Sequence, residues 1–339
     1  MIGVSVIIPC HNGAQRLPAT LAHLARQIVP SDLPWEVLVV DNASTDGTAS
    51  IALASWPKNP PAPLRIVHEL QLGASPARSR GLNEAMHKFI TVVDDDNWVC
   101  TNWVAVVAEV MSQHPQVGAC GALSEAVCEG PIPLWFNEFK TAYAIGAWGE
   151  VPGDVTYRLA RCWSAGLTIR KNAWEQLQLN GFSPLLAGRK HKDLTCGDDT
   201  EICCALRLAG WRWWYEPRLR FQHYLPASRL KWSYLRRLHR AFGASRIVLD
   251  IYNEIFMERF TGRSGRWIKK YWLPKFTYDT CRLASYGFKL LWVWFSLCEG
   301  ASYSLMIESL YGRWRSLLRL RRSYEATRNK IASLPRIIK

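Results

Sequence analysis

The sequence predicts a doubly wound, mostly parallel α/β sheet with helices on both faces, followed by a basic helical C-terminal region. Three observations indicate this organisation. Four apolar runs alternate with helix-like spacings within roughly the first ninety residues. A cluster of carboxylates follows the fourth run directly. The formal net charge of +14 is concentrated in the last third of the 339 residues.

The first two apolar runs and the segment between them predict a βαβ unit. Residues 4–8 form a β-branched run that ends at Pro9, and residues 36–40 form a second run that ends at Asp41. Apolar residues recur at helical spacing between the two runs, at Leu17, Leu21, Leu24 and Ile28.

A third strand and a helix are predicted next. The strand covers residues 64–68 and follows the proline-rich segment 57–63. Ser75 and Pro76 are the residue types that favour a helix N-cap and the first helical position. The predicted helix therefore runs from Ser75 to about residue 88.

Three consecutive carboxylates, Asp94, Asp95 and Asp96, follow the fourth apolar run at residues 89–93. Open α/β sheets bind ligands at the carboxyl ends of their strands, so this cluster predicts a site. Adjacent carboxylates repel one another, and a divalent cation compensates that repulsion. Oxygen ligands favour Mg²⁺ or Mn²⁺, which bridge carboxylates to substrate phosphates. The alternative interpretation is a solvated acidic turn.

The middle section, residues 100–225, is less regular, with helices predicted near 101–113 and 198–209. Asp198 and Glu201 have the spacing of a capping box, and Gly210 is the residue type that ends a helix. These observations predict a first domain over residues 1–225 and a helical region over residues 226–339.

The basic character belongs to the C-terminal region. Residues 1–225 hold 19 Lys and Arg against 21 Asp and Glu, whereas residues 226–339 hold 23 against 7. Six tryptophans lie among these cations. Basic and aromatic residues together suit an anionic membrane surface, and they also suit nucleic acid. We favour the membrane, because the region has long apolar helical faces and no recognisable nucleic-acid module.

Residues 290–307 are mostly apolar but are interrupted by Glu299 and Gly300. A membrane span needs about 20 mostly apolar residues. The segment is predicted to be an interfacial or re-entrant hairpin or part of a buried helix pair, with a true span as the alternative. The ten cysteines form no CxxC pair, and no secretory signal precedes the first strand. We therefore expect reduced thiols, no disulfide, no zinc site and a cytoplasmic protein at the inner face of the membrane.

Five short segments lie at the ends of predicted strands or near the starts of predicted helices: residues 4–12, 39–48, 77–81, 94–97 and 197–201. Their order along the chain is informative. Together they resemble the family 2 glycosyltransferases with the GT-A fold, over about residues 3–225. The resemblance implies a nucleotide-binding half at about 1–98 and an acceptor half at about 99–225. It also implies that a nucleotide-diphosphate sugar lies over the carboxyl ends of the strands.

The resemblance assigns the donor-binding and metal-binding residues. Asp41 would contact the base in a pocket lined by Pro9 and His11, and Arg78 would reach the base or a phosphate. Asp96 would bind the metal ion directly, and Asp94 or Asp95 would hold the ribose or a metal-bound water. His223 would complete the metal shell or touch the leaving diphosphate. Gly166, in a strand beside the donor sugar, would allow close approach.

The resemblance also assigns the catalytic base to Asp199, which would deprotonate the acceptor hydroxyl for a displacement with inversion. The family commonly has Glu-Asp where this chain has Asp198 and Asp199, a change that shortens the first carboxylate. A carboxylate within hydrogen-bond reach of an alcohol suits this role. The alternative is that both aspartates only cap a helix.

The sequence therefore predicts a metal-dependent, inverting glycosyltransferase of polysaccharide or glycolipid synthesis, with a carbohydrate or lipid-linked acceptor. A sugar-1-phosphate nucleotidyltransferase is the first alternative. Such enzymes carry a glycine-rich basic loop after the first strand, where this chain has the single glycine Gly13. A non-enzymatic nucleic-acid or scaffold protein that uses the basic C-terminal third is the second alternative. That function would give no role to the three consecutive aspartates or to Asp198 and Asp199. A Rossmann dehydrogenase is disfavoured because no GxGxxG follows any predicted strand.

Overall fold

The computed structural model of the protein describes residues 2–158, 162–163, 165–188, 196–262, 270–292 and 299–338, without the side chains of residues 287–292. The described strands are β1 (Val4–Cys10), β2 (Trp35–Asn42), β3 (Leu64–Glu69), β4 (Phe89–Val92), β5 (Asn97–Val99), β6 (Val117–Cys128), β7 (Gly153–Asp154), β8 (Thr168–Arg170) and β9 (Arg212–Leu225).

Eleven α-helices accompany these strands in the described ranges. They are α1 (Leu17–Ala25), α2 (Thr48–Ser55), α3 (Ala74–Glu84), α4 (Trp103–Gln113), α5 (Phe136–Phe139), α6 (Lys171–Leu179), α7 (Asp198–Leu208), α8 (Trp232–Thr261), α9 (Trp272–Trp292), α10 (Ser302–Arg319) and α11 (Tyr324–Ala332). Short 3₁₀ helices cover Lys140–Tyr143 and Ala227–Leu230.

All nine strands belong to one sheet, in the order β3-β2-β1-β4-β8-β6-β9-β5, with β7 paired to β9. The four N-terminal strands pair in parallel, as the sequence predicts. In the second half of the sheet, β8 runs antiparallel to β4 and β6, and β5 runs antiparallel to β9. The long strand β9 pairs in parallel with β6, so the whole sheet is mixed.

Helices cover both faces of the sheet because the buried strands alternate their side chains between two cores. Val4, Val6 and Ile8 pack with α1 and α4 on one face. Ile7 joins the other core, which includes residues of α3, α6, α7 and α8. Because β1, β2 and β4 run parallel to one another, their carboxyl ends share one edge of the sheet.

Helix α3 differs from the predicted helix at both ends. It begins at Ala74 after Gly73, so Ser75 lies in the first turn and is not the N-cap. It ends at Glu84, before the predicted residue 88. Beyond the end of α3, two backbone N–H groups bond to side chains of other elements. The Met86 N–H donates to Glu36, and the His87 N–H donates to Ser5. Neither partner is visible in the local sequence pattern.

The C-terminal helices pack directly on the sheet domain. Ile247, Ile251 and Ile255 of α8 belong to the core that contains α7. Helices α8 and α10 approach closely through two glycines, since a Cβ at Gly243 or Gly312 would overlap the backbone of the facing helix. The predicted boundary at residue 225 coincides with the end of β9, but the residues beyond it share a core with the sheet.

Five of the seven carboxylates in residues 226–339 pair with basic side chains of the same region. For example, Arg313 bridges Asp250 and Asp279 at 2.8 and 3.2 Å, joining three helices. Glu308 of α10 accepts from two arginines of α8. Within the described ranges, no helix combines the length and the apolarity needed to cross a membrane. Residues 293–298 of the segment 290–307 lie outside the described residues, so its predicted conformation stays a prediction.

Candidate active site

The three aspartates lie in the turn between β4 and β5. Strand β5 reverses the chain and pairs antiparallel with β9, where Asn97 faces His223 in register. This pairing brings a histidine from the end of the domain next to the carboxylates. His223 lies inside β9, two residues before its end, and does not follow the strand as the sequence suggested.

Asp95 is committed to neighbouring side chains of the first βα unit. Its carboxylate accepts from Arg16 Nη2 at 2.6 Å and from Cys10 Sγ at 3.2 Å. Its carbonyl oxygen accepts from the Thr20 hydroxyl at 2.9 Å. Burial raises the pKa of Asp95, and Arg16 opposes that effect. These contacts fix the turn and orient its two other carboxylates.

Asp96 lies between two basic side chains. Its Oδ2 accepts from Arg229 Nη1 at 3.0 Å, and its Oδ1 lies 3.5 Å from His223 Nε2. Burial alone would raise the pKa of Asp96, but His223 and Arg229 hold it well below its ordinary value. The other ring nitrogen of His223, Nδ1, is buried without a hydrogen-bond partner.

Asp94 is the half-buried carboxylate of the cluster. Burial and repulsion from Asp96 raise its pKa to about 6, against the opposing charges of Arg78 and His223. Two carboxylates with one imidazole form a donor set that fits Mg²⁺ or Mn²⁺ when substrate phosphates supply further ligands. Among the described residues, no three potential ligands already lie together as a complete metal site.

The second acidic cluster lies at the start of α7. Gly197, with φ of 95°, is the N-cap, and Asp198 and Asp199 occupy the first helical turn. Asp198 is buried and paired with the buried Arg78 of α3. Asp199 is half-buried, and its Oδ1 accepts from the Thr200 N–H at 2.7 Å.

The predicted capping box between Asp198 and Glu201 is wrong. Glu201 accepts instead from the N–H groups of Leu185 and Leu186, at 2.8 to 3.0 Å, and from the Tyr252 hydroxyl at 3.2 Å. The Glu201 N–H makes the first intrahelical bond, to Gly197 O, and the Thr200 N–H in the first turn is satisfied by Asp199 Oδ1. Gly210, with φ of 100°, follows the end of α7 as predicted.

Both acidic clusters line one cavity of about 650 Å³. Its wall brings together residues of four predicted motifs and one further candidate, His223. The motif residues are Pro9, Arg78, Asp94, Asp95, Asp96, Asp198 and Asp199. A carboxylate–imidazole group and a candidate base therefore face the same space, as a transfer between two bound substrates requires.

The predicted base pocket lies where β1 and β2 end side by side. Pro9 lines the cavity, whereas His11 and Asp41 are not among its lining residues. His11 Nδ1 lies 2.7 Å from the carbonyl oxygen of Asn42, and Asp41 lies 3.3 Å from His68 Nδ1. The structure places these three residues at one strand edge, and their contact with a base stays a prediction.

Gly166 lies in a turn before β8 and not within a strand, which corrects the predicted placement. Its φ of 70° favours glycine. A Cβ at this position would meet Phe221, Ala122 and Trp103 at 2.8 to 3.0 Å. The backbone geometry and the core packing therefore already require glycine here, and its place beside a donor sugar stays a prediction.

Two further groups of cavity residues have no signal in the sequence. Arg229, in the 3₁₀ helix after β9, pairs with Asp96 across 133 positions of sequence. One face of α8 forms the opposite wall, with Tyr234, Leu238, Phe242 and Arg246. Helical spacing along α8 would have indicated an apolar face, but not that it faces these aspartates.

Solved structures with the same architecture are glycosyltransferases. The mannosyltransferase PcManGT from Pyrobaculum calidifontis, solved with GDP-Man and Mn²⁺, aligns with a TM-score of 0.57 and 18% identity over 93% of this chain and 86% of that chain. S. aureus TarS 1-349, solved with UDP-GlcNAc, aligns with a TM-score of 0.52 and 17% identity over 99% of this chain and 90% of that one. At these identities the likeness shows the fold, which is the predicted GT-A fold.

Curated relatives match about a third of the sequence. An uncharacterized glycosyltransferase of Escherichia coli, YibD, is 29% identical over 120 residues, which are 35% of this chain and 33% of the relative. The putative teichuronic acid biosynthesis glycosyltransferase TuaG of Bacillus subtilis is 33% identical over 96 residues, 28% of this chain and 36% of the relative. The match thus spans about a third of the length of these relatives.

The sequence model of the family described as "Glycosyl transferase family 2" matches residues 5–192, just over half of the chain. The matched range includes the predicted strand ends at Pro9, Asp41 and Asp96, and it stops shortly before α7. Sequence, fold and the arrangement of carboxylates agree: the chain belongs to glycosyl transferase family 2.

Proposed function

We propose that this chain transfers a sugar from a nucleotide-diphosphate donor to an acceptor hydroxyl, with inversion and with the assistance of Mg²⁺ or Mn²⁺. The observation that carries the proposal is that Asp94, Asp96, His223 and Asp199 line the same cavity. Membership of the family supports the same conclusion.

The donor half depends on a cation held at the strand edge. Asp94, Asp96 and His223 would hold it, because all three line the cavity. Asp96 Oδ1 lies beside His223 Nε2 and accepts from Asn97 Nδ2, while Oδ2 accepts from Arg229. When bound, the cation would neutralise charge on the departing diphosphate. Arg229 already holds a positive charge at the same carboxylate and limits the repulsion between Asp94 and Asp96.

The acceptor half depends on Asp199. Its carboxylate would take the proton of the acceptor hydroxyl while that oxygen bonds to the anomeric carbon. The bond from this carbon to the diphosphate oxygen breaks, and its electron pair leaves with the diphosphate. The position of Asp199 in the first turn of α7 favours the anionic form that a base needs.

The base of the donor would lie over the ends of β1 and β2, near Pro9, His11 and Asp41. Arg78 would reach the base or a phosphate from α3. Its pairing with Asp198 supports a placement beside the cavity and fixes its guanidinium there.

We propose polysaccharide or glycolipid synthesis at the inner membrane face as the setting. The relative TuaG is named for teichuronic acid biosynthesis, which supports a carbohydrate or lipid-linked acceptor. The basic surplus of residues 226–339 supports an anionic membrane surface as a partner, as do the exposed Tyr271, just before α9, and Leu273 and Tyr278 of α9.

A thermal-shift screen of UDP-, GDP-, TDP- and CMP-sugars, with Mn²⁺ or with EDTA, tests the proposed function. One class should raise the melting temperature in Mn²⁺, since a ligand well above its dissociation constant stabilises a fold by a few kcal/mol. EDTA should remove most of this shift. Stabilisation by none of the nucleotide sugars would contradict the proposal. Pyrophosphate release from a sugar 1-phosphate and a nucleoside triphosphate would favour a nucleotidyltransferase instead.

A further inference from the structure

The cavity extends beyond the groups that the proposed reaction uses. Its far wall is one face of α8, with residues at helical spacing: Tyr234, Leu238, Phe242, Arg246 and Leu249. The rise of an α-helix places residue 246 about 12 Å from residue 238 along this face. The wall is therefore long enough for an extended substituent of an acceptor.

Arg246 differs from the other arginines of the cavity in its partners. Arg78 is paired with Asp198, and Arg229 is paired with Asp96. No described carboxylate lies within ion-pair distance of Arg246, which is half-buried in the wall. A guanidinium that faces a partly enclosed cavity without a counter-charge favours an anionic ligand, and phosphate matches its geometry.

Three residues at helical spacing around Arg246 in the wall are apolar, and Ser245 and His239 of α8 line the cavity beside them. Leu249 lies one turn beyond it, Phe242 lies one turn before it, and Leu238 follows after another turn. Phe242 and Leu238 together form a strip on which an apolar chain can pack without exposing polar groups. One cation at the end of an apolar strip suits an amphipathic anion better than a free sugar.

We propose that this face of α8 binds the acceptor, and that the acceptor is a phosphate ester that joins a hydroxyl-bearing group to an apolar chain. Arg246 binds the phosphate, and the chain lies along Phe242 and Leu238. The inference rests on the proposed function, because it places the acceptor hydroxyl between this wall and Asp199. It names the acceptor class and a specificity-determining residue outside the family's matched range of residues 5–192.

Binding of octyl phosphate to the full chain tests the inference, with octyl glucoside and inorganic phosphate as comparison probes. Titrations are done in EDTA and below micelle-forming concentrations, so that no cation-dependent phosphate binding at Asp96 contributes. The wild-type chain should bind octyl phosphate at least tenfold more tightly than either comparison probe. Arg246→Gln should weaken octyl phosphate binding about tenfold, the usual effect of losing one charge-assisted contact.

Arg237→Gln is the matched control, because Arg237 is exposed on the same helix and does not line the cavity. It should change octyl phosphate binding less than twofold. Equal affinity of the wild type and Arg246→Gln, or equal affinity for octyl phosphate and octyl glucoside, would overturn the inference. Inorganic phosphate binding as tightly as octyl phosphate would remove its apolar part. Nucleotide binding in the thermal-shift screen is a separate result, so the two proposals can fail independently.

Discussion

At the scale of single residues, three consecutive aspartates have three different environments. Asp95 accepts hydrogen bonds from Arg16 and Cys10. Asp96 lies between Arg229 and His223. Burial and the neighbouring Asp96 raise the pKa of Asp94. The tight turn aims neighbouring side chains in different directions. The sequence indicates a site here, but it does not indicate which carboxylate is available to a cation.

The predicted and the missed residues of the site differ in kind. Asp96 and Asp199 belong to motifs whose order resembles a family, and His223 is assigned by the same resemblance, so a shared site is predicted from the chain alone. Arg229 and Arg246 belong to no motif, and their roles depend on how α8 returns to the cavity. Gly166 was assigned to a strand, whereas the structure shows a left-handed turn that the core requires.

Replacement of Asp199 by Asn tests the base directly. The amide cannot accept the hydroxyl proton, so the turnover number for transfer should fall by about 10² to 10⁴. Nucleotide affinity, measured by calorimetry with Mn²⁺, should remain within about twofold. Melting temperature serves as the control for folding. Turnover equal to that of the wild type would remove Asp199 from the proposed chemistry.

At the scale of elements, the regular N-terminal part was predictable and the middle was not. The β-branched runs of β1, β2 and β4 are buried throughout, so their apolar content identifies them. Strand β9 carries several charged residues and was predicted only as a strand before His223. It is identified by its pairing with β6 and β5, which lie far away in sequence. The end of α3 is likewise accompanied by tertiary partners, Glu36 and Ser5, that the local sequence does not show.

The contact between α7 and the segment at Leu185 and Leu186 should depend on pH through Glu201. Burial raises the pKa of Glu201 to about 7 from its ordinary 4.5. Below pH 4.5 the carboxyl is neutral in both the folded and the unfolded chain, and the folded state keeps its full stability. Between pH 4.5 and 7 the unfolded chain loses this proton while the folded chain keeps it. Up to about 3 kcal/mol of folding free energy is therefore lost by the time the pH has risen through 7 and the buried group ionises.

Glu201→Gln should remove this contribution, because the amide oxygen accepts from the backbone N–H groups without acquiring charge. Urea unfolding at pH 5 and pH 7.5 should show a smaller loss of stability between the two values in Glu201→Gln than in the wild type. Glu175→Gln, a change on the exposed part of α6, should keep the slope of the wild type. An unchanged slope in Glu201→Gln would contradict the assignment.

At the scale of the whole molecule, the uneven distribution of charge corresponds to two proposed roles: residues 1–225 hold the carboxylates of the site, and the basic residues 226–339 would contact a membrane. Most carboxylates of residues 226–339 are consumed by ion pairs between helices, which leaves a large surplus of cations. The sequence predicted a separate basic region, and the structure shows that its first helix forms both a core with α7 and a wall of the cavity. Composition reveals the charge of such a region but not its packing.

Vesicle sedimentation tests the membrane role of this region. The chain should bind vesicles of phosphatidylglycerol and phosphatidylcholine, and binding should fall as salt rises because the cations act through screened attraction. A variant with Tyr271→Ser and Leu273→Ser, which removes an exposed aromatic and an exposed aliphatic side chain at the start of α9, should bind several-fold more weakly. Equal binding to pure phosphatidylcholine vesicles would contradict an anionic surface as the partner.

A crystal structure with Mn²⁺ and the nucleoside diphosphate identified in the thermal-shift screen tests the proposed donor site most directly. We expect an anomalous manganese peak within coordination distance of Asp96 and of the diphosphate, with Asp94 and His223 adjacent. A diphosphate bound over the strand ends with no manganese at Asp94 or Asp96 would contradict the proposed site.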